Sequence, residues 1–322
     1  MFRVQSWGGK APRAATGKVP AWNGSFTYSG TKYPYEMVGT NPAKGSKTTT
    51  VPTEILPLKV VMANGITVTG PTSKLKASPI LSNAAFSSGT TQLGDAMMRS
   101  EFWTTVSSSA PNWHVRLGAP KVLPTVTIKV PSADGSGFTF NGIPYANISY
   151  SWWSGKLRKI ITGHSFSATT LPLIISGSTF LYLNNNPSDC CVYGYHGSYT
   201  STSGHNTYAF ANWIAKGLVS NGNADVYTMS HEVSEWENDP YVNNIVPDWD
   251  QPDGSTCYSD LLEVGDPVEA MPTPWYTIKA GGTTYHPSDI AGVSWFAHTS
   301  PSTQQNGLYS YNGYLTAPST LC

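Results

Sequence analysis

Charge is scarce in this chain: Asp, Glu, Lys and Arg make up 12% of its 322 residues, about half the usual quarter. Nineteen basic residues balance nineteen acidic ones, so no global field exists to hold a phosphate backbone or an anionic bilayer. Nucleic acid and membrane surfaces are therefore not expected as partners. Apolar runs are short, none approaching the roughly 18 residues of a membrane-spanning helix. Met1 to Trp22 carries charges and glycines where an export leader would place an apolar block. CxxC pairs, GxSxG elbows, P-loops and GxGxxG turns are missing, which argues against structural zinc knuckles, serine hydrolases, phosphoryl transfer and dinucleotide binding. Bulky core material is not missing: 11 Trp, 18 Tyr and 10 Phe exclude a disordered chain.

Cysteine is also sparse, but its four residues, Cys190, Cys191, Cys257 and Cys322, form an even set. Together with few Lys and Arg and abundant Ser, Thr, Gly, Asn and Tyr, they point to two disulfides and an extracellular protein. A bond between neighbours would be strained. Cys190 and Cys191 are each expected to reach one of Cys257 and Cys322, in an order left open.

Short strands and turns dominate residues 1–85: Ser25 to Tyr28, Leu56 to Met62, then Ile66 to Thr69 after an Asn64-Gly65 turn. Asp95 to Trp103 lacks Gly and Pro and spaces its apolar residues three or four apart, which predicts a helix. Val122 to Val130, Leu171 to Ile175 and Phe180 to Leu183 read as strands. Tyr208 to Leu218 and Asp225 to Glu237 read as helices, and from Asn238 onward recurrent Pro and Gly predict loops. The expected fold class is α+β, with a β-rich N-terminal region over 1–85 and a second region over 86–322, or one continuous domain.

Acid is not evenly spread. Twelve of the nineteen acids lie between Asp225 and Glu269, a stretch with no Lys or Arg. Such crowding costs self-repulsion unless a cation sits there. Inside it stands His231-Glu232-Val233-Ser234-Glu235, an HExxE pattern. Val226, Met229, Val233 and Trp236 form a core-facing stripe of one helix, which leaves His231 and Glu235 one turn apart on another face, able to converge on one ion. Glu232 sits a further 100° round, the position of a general base. Asp239-Pro240 ends the helix.

A catalytic zinc needs a third protein ligand. Glu263 is the candidate, with Asp266 placed to accept the ring N–H of His231 and Asp239, Asp248, Asp250 and Asp253 as competitors. The run Asp248 to Gly254 offers hard oxygens for Ca²⁺ near Asp248, Asp250 and Asp253.

HExxE resembles the HExxH of zincin metallopeptidases with the second histidine replaced by glutamate. Glu263 followed by Asp266 is similar to the gluzincin arrangement. The order Cys191-Val-Tyr-Gly-Tyr-His-Gly197, Ser230 to Pro240, Leu262 to Pro267 resembles secreted peptidase-like bacterial proteins and, more remotely, the plant EXORDIUM (phosphate-induced protein) family. The resemblance implies a secreted zinc metallopeptidase with a zincin-like domain over 86–322. His231, Glu235 and Glu263 would hold Zn²⁺, and Glu232 and His196 would act on a peptide or protein substrate. The alternative is a non-catalytic extracellular protein, structural, self-assembling or carbohydrate-binding, with a structural metal or none; low charge and many Tyr, Thr and Ser residues motivate it.

Overall fold

The computed structural model describes residues 19–202, 204–258 and 260–322. Most of the segment read for an export leader, 1–18, lies outside them. Helices and strands are mixed, as the α+β reading requires, and no described helix is long and apolar enough to cross a membrane. The elements that position the site are, in chain order, β1 (Thr53–Met62), β2 (Thr67–Thr69), α1 (Leu93–Glu101), β3 (Val126–Val130), α2 (Tyr150–Gly163), β4 (Leu171–Gly177), β5 (Gly194–Ser201), β6 (Gly204–Trp213), α3 (Tyr227–Asn238) and α4 (Asp266–Glu269).

One sheet organises them. Its order is β3-β1-β4-β6-β5, with β2 and Lys121–Val122 also pairing β1. The four strands β3, β1, β4 and β6 run parallel, and β5 closes one edge antiparallel to β6. Parallel sheets are covered on both faces, and the pleat sorts side chains between two cores. Leu56, Leu58, Val60, Ile174, Tyr208 and Phe210 join Trp153, Leu157 and Ile161 of α2. Ile55, Leu173, Ile175, Ala209 and Ala211 join Val226, Met229, Val233 and Trp236 around α3. Because β1 pairs with β4, the β-rich N-terminal region and the later chain share this sheet.

Local sequence explains most elements. Asn64-Gly65 turns β1 into β2, with Gly65 at φ 88°. The stripe Tyr150, Trp153, Leu157 and Ile161 of α2 is spaced 3, 4 and 4, one apolar helix face. Three expectations need correction. Tyr208 to Leu218 is not a helix, since Tyr208 to Trp213 belongs to β6; alternation of Tyr208 and Phe210 with Ala209 and Ala211 feeds the two cores, a period of two that alanine disguised. Val122 to Val130 is broken into Lys121–Val122 and β3 around Pro124, which has no N–H to offer a ladder. Cys190 bonds Cys191, across a cis peptide that brings their Cα atoms to 3.1 Å, and Cys257 bonds Cys322.

Candidate metal centre

α3 is the most enclosed helix of the site: all twelve of its residues are buried. Its apolar stripe lies in the core, and Trp236 Nε1 donates to Thr207 Oγ1 at 2.9 Å. Asp239 ends the helix by accepting the Asn243 and Asn244 amides at 2.9 and 3.0 Å, so it is committed to a turn. The remaining face of α3 carries His231, Glu232 and Glu235, none of them exposed (0%).

Two other segments close on that face. β5 brings His196, which stands opposite Ala209 in the ladder; Ala209 faces the α3 side, so the imidazole also turns toward α3. A Cβ at Gly194 would sit 2.9 Å from Glu232 Oε1. The segment 262–269 brings Glu263, Asp266 and Glu269. Gly265 must be glycine there, since a Cβ would fall 2.4 Å from His231 Nδ1, and its amide donates to Glu235 Oε1 at 3.2 Å.

Glu235 is the hinge of the resulting cluster. Its Oε1 lies 3.1 Å from His231 Nε2, which is also 3.4 Å from Asp266 Oδ1. Its Oε2 lies 3.5 Å from His196 Nδ1, which is 3.6 Å from Glu232 Oε2. Two donor groups follow, His231/Glu235/Asp266 and His196/Glu232/Glu235, each with ligand atoms within 4.8 Å of one another. Either could hold a metal ion.

The electrostatics favour added positive charge, whether protons or a cation. Glu232, Glu235, Glu263 and Asp266 are 0 to 4% exposed, and among the described residues no Lys or Arg pairs with them. Both ring nitrogens of His196, both oxygens of Glu232, Glu263 and Asp266, and Glu235 Oε2 lack hydrogen-bond partners. Buried polar atoms left in that state cost free energy. Burial pushes Glu232 up to about 7 and Asp266 up to about 6, and holds Glu263 well above the usual carboxylate range. Burial also opposes ionisation of Glu235, but His231 and His196 reverse that and bring it down to about 2. For both imidazoles burial disfavours the charged ring, and neighbouring carboxylates outweigh it, so their pKa values rise well above the ordinary one. Without a cation, protons hold this cluster together. A nitrogen and carboxylate donor set without thiolate suits zinc and the other first-row dications.

His231, Glu232 and Glu235 therefore share the α3 face that helical spacing gives them, and β5 brings His196 against it. Glu263 lies beside them, close enough to act on His196 and Glu235 electrostatically, but Asp266 completes the converging trio. Glu269, counted in the acidic stretch but not read as a site residue, has its Oε1 3.7 Å from His231 Nδ1. Its signal was the spacing of three from Asp266, which puts both on one face of α4. The Ca²⁺ reading at Asp248, Asp250 and Asp253 gains no support from the geometry. Asp248 and Asp253 are exposed, Asp253 accepts the Ser255 amide at 2.9 Å, and among the described residues Asp248, Asp250 and Asp253 join no converging donor group. No known protein family, curated protein or solved structure matches the chain.

Proposed function

We propose that the chain is an extracellular zinc-dependent peptidase in which His231, Glu235 and Asp266 hold the ion. The supporting observation is the convergence of His231 Nε2 with Glu235 Oε1 at 3.1 Å and Asp266 Oδ1 at 3.4 Å, beside a Glu232 carboxylate that has no hydrogen-bond partner. A zinc ion there would supply Lewis-acid polarisation of a peptide carbonyl and acidify a water. Glu232 takes the proton of the water that attacks the carbonyl carbon, and returns it to the amine as the C–N bond breaks. His196 faces Glu232 at 3.6 Å and steadies the carboxylate in both protonation states. Glu269, against His231 Nδ1, fixes the ring orientation. The Cys257–Cys322 disulfide is compatible with an extracellular location.

The test is Glu232→Gln, which keeps the shape and removes the base. Casein or peptide hydrolysis by the purified protein falls at least about 100-fold while bound zinc, measured by mass spectrometry, stays at wild-type level. Hydrolysis at the wild-type rate overturns the mechanism. Burial of every donor, at 4% exposure or less, favours a second reading: a structural ion clamping α3 to 262–269 in a non-catalytic extracellular protein. Stoichiometric zinc in a wild-type protein that hydrolyses neither casein nor peptides selects that reading.

A further inference from the structure

A second concave site lies away from the metal cluster, at the carboxyl edge of the parallel strands. From β1 the chain proceeds to β3 on one side and then to β4 on the other. β2, paired with β1, fills the space beyond the junction of β1 and β4, which leaves the carboxyl ends of β4 and β6 as the open part of the edge, where ligands of such sheets bind. A cavity of about 690 Å³ occupies that edge, within the range of roughly 300–1,000 Å³ typical of ligand sites. Gly177 and Ser178 follow β4 into it, Trp213 and Lys216 lie at the end of β6, and β2 and Lys74 form the facing wall. The walls meet closely: a Cβ on Gly177 would lie 2.5 Å from the Thr69 carbonyl oxygen. Two lining residues, Ser178 at φ 37° and Asp225 at φ 43°, are non-glycines in the left-handed region, a conformation that clusters at ligand sites.

The charges of this cavity do not cancel. Asp225 is fully engaged: Oδ1 accepts the amides of Val226 and His286 at 2.6 and 2.9 Å, and Oδ2 lies 2.7 Å from His286 Nδ1. Lys74 and Lys216 are exposed, and neither has an ion-pair partner among the described residues. In a chain with only 19 basic residues, two uncommitted ammonium groups on one cavity select an anionic ligand. They are point charges rather than guanidinium forks, which suits separate carboxylates better than one bidentate phosphate. The half-buried indole of Trp213 and the polar residues Thr67, Thr69 and Thr283 line the same cavity. A flat aromatic plate with hydroxyls and spaced ammonium groups matches a ring that has an apolar C–H face, hydroxyl substituents and a carboxylate.

We propose that this cavity binds a short acidic oligosaccharide, with a uronate ring on Trp213 and its carboxylates on Lys74 and Lys216. The site is independent of the metal reading. Titration calorimetry of the full chain with trigalacturonate at low salt gives one binding event per chain. Affinity falls about tenfold in K74A/K216A, two lost exposed ion pairs, and by a similar factor when the salt concentration is raised tenfold. Neutral maltotriose binds at least about tenfold more weakly. W213A abolishes measurable binding; because Trp213 also packs on the core, the double lysine variant, altered only at exposed positions, carries the decision. No heat at millimolar trigalacturonate overturns the proposal. So does unchanged affinity in K74A/K216A, or equal binding of triglutamate, which would make the site a reader of acidic peptides.

Discussion

The two faces of the central sheet are covered by helices of similar length and opposite chemistry. α2 presents Tyr150, Trp153, Leu157 and Ile161 to one face and leaves its charged residues in water. α3 buries all twelve residues on the other, including His231, Glu232, Glu235 and Glu237. The α2 face gains from burial, about 1.5–3 kcal/mol for each large apolar side chain. On the α3 face the same burial opposes ionisation of all four carboxylates around His196 and His231; only at Glu235 do the histidines outweigh it, and Glu232, Glu263 and Asp266 stay raised. Both faces bury an apolar core, but only the α3 face also encloses carboxylates that need protons or a cation beside them.

Stripping the ion is the largest way to test that contrast. A cation at about 1,000 times its Kd contributes about 4 kcal/mol to stability. Chelation of the wild type lowers Tm by several degrees, and His231→Ala, which cannot hold the ion, shows no further loss with chelator. Uptake is also pH-dependent, with a definite sign. The folded protein without the ion keeps protons on Asp266 up to about pH 6 and on Glu232 up to about pH 7. Binding releases them, so affinity rises with pH across that window and falls below it. Calorimetry in buffers of differing ionisation enthalpy counts the protons; none released sinks the idea.

Leu157→Ala makes the complementary cut. Leu157 is 1% exposed in the α2 core, and its truncation costs about 2–5 kcal/mol through lost burial and a cavity. Denaturant unfolding with and without chelator shows the same loss, because this face has no share in the ion. A loss that disappears on chelation would mean the two cores are not separable.

Gly265→Ala probes the α3 face more finely. The added methyl meets His231 Nδ1 at 2.4 Å, so either the ring or segment 262–269 must shift. Metal affinity falls about ten- to a hundredfold, the usual cost of disturbing what orients a ligand, while the α2-side core, which takes no residue from this segment, is untouched. Unchanged zinc affinity would show that this segment does not hold the ring.

The same contrast decides what sequence can show. α3 was legible because HExxE and the stripe Val226, Met229, Val233, Trp236 share one helical period. β6 was not, because it feeds two cores at once: Ala209 and Ala211 on one side alternate with Tyr208 and Phe210 on the other, and alanine hides that period of two. His196 was visible only as a lone histidine, since its approach to Glu232 is set by the antiparallel pairing of β5 with β6. Asp266 and Glu269 were both in view, but which one meets which nitrogen of His231 depends on a loop whose path follows from Gly265 and the short helix α4. Pairing of the cysteines was open because four residues allow three connectivities and spacing selects none of them.

Gly155→Ala is the smallest effect and the sharpest control, because it is the same substitution as at residue 265 with the opposite expected sign. Gly155 lies inside α2 with nothing within 4 Å of an added Cβ. Glycine within a helix costs about 0.5–1 kcal/mol relative to alanine through backbone entropy. The variant is therefore stabilised by about that amount, with zinc affinity unchanged. If Gly155→Ala destabilised the protein, the α2 face would be tighter than its geometry shows; if it altered zinc binding, the sheet would be transmitting strain between faces that the packing keeps apart.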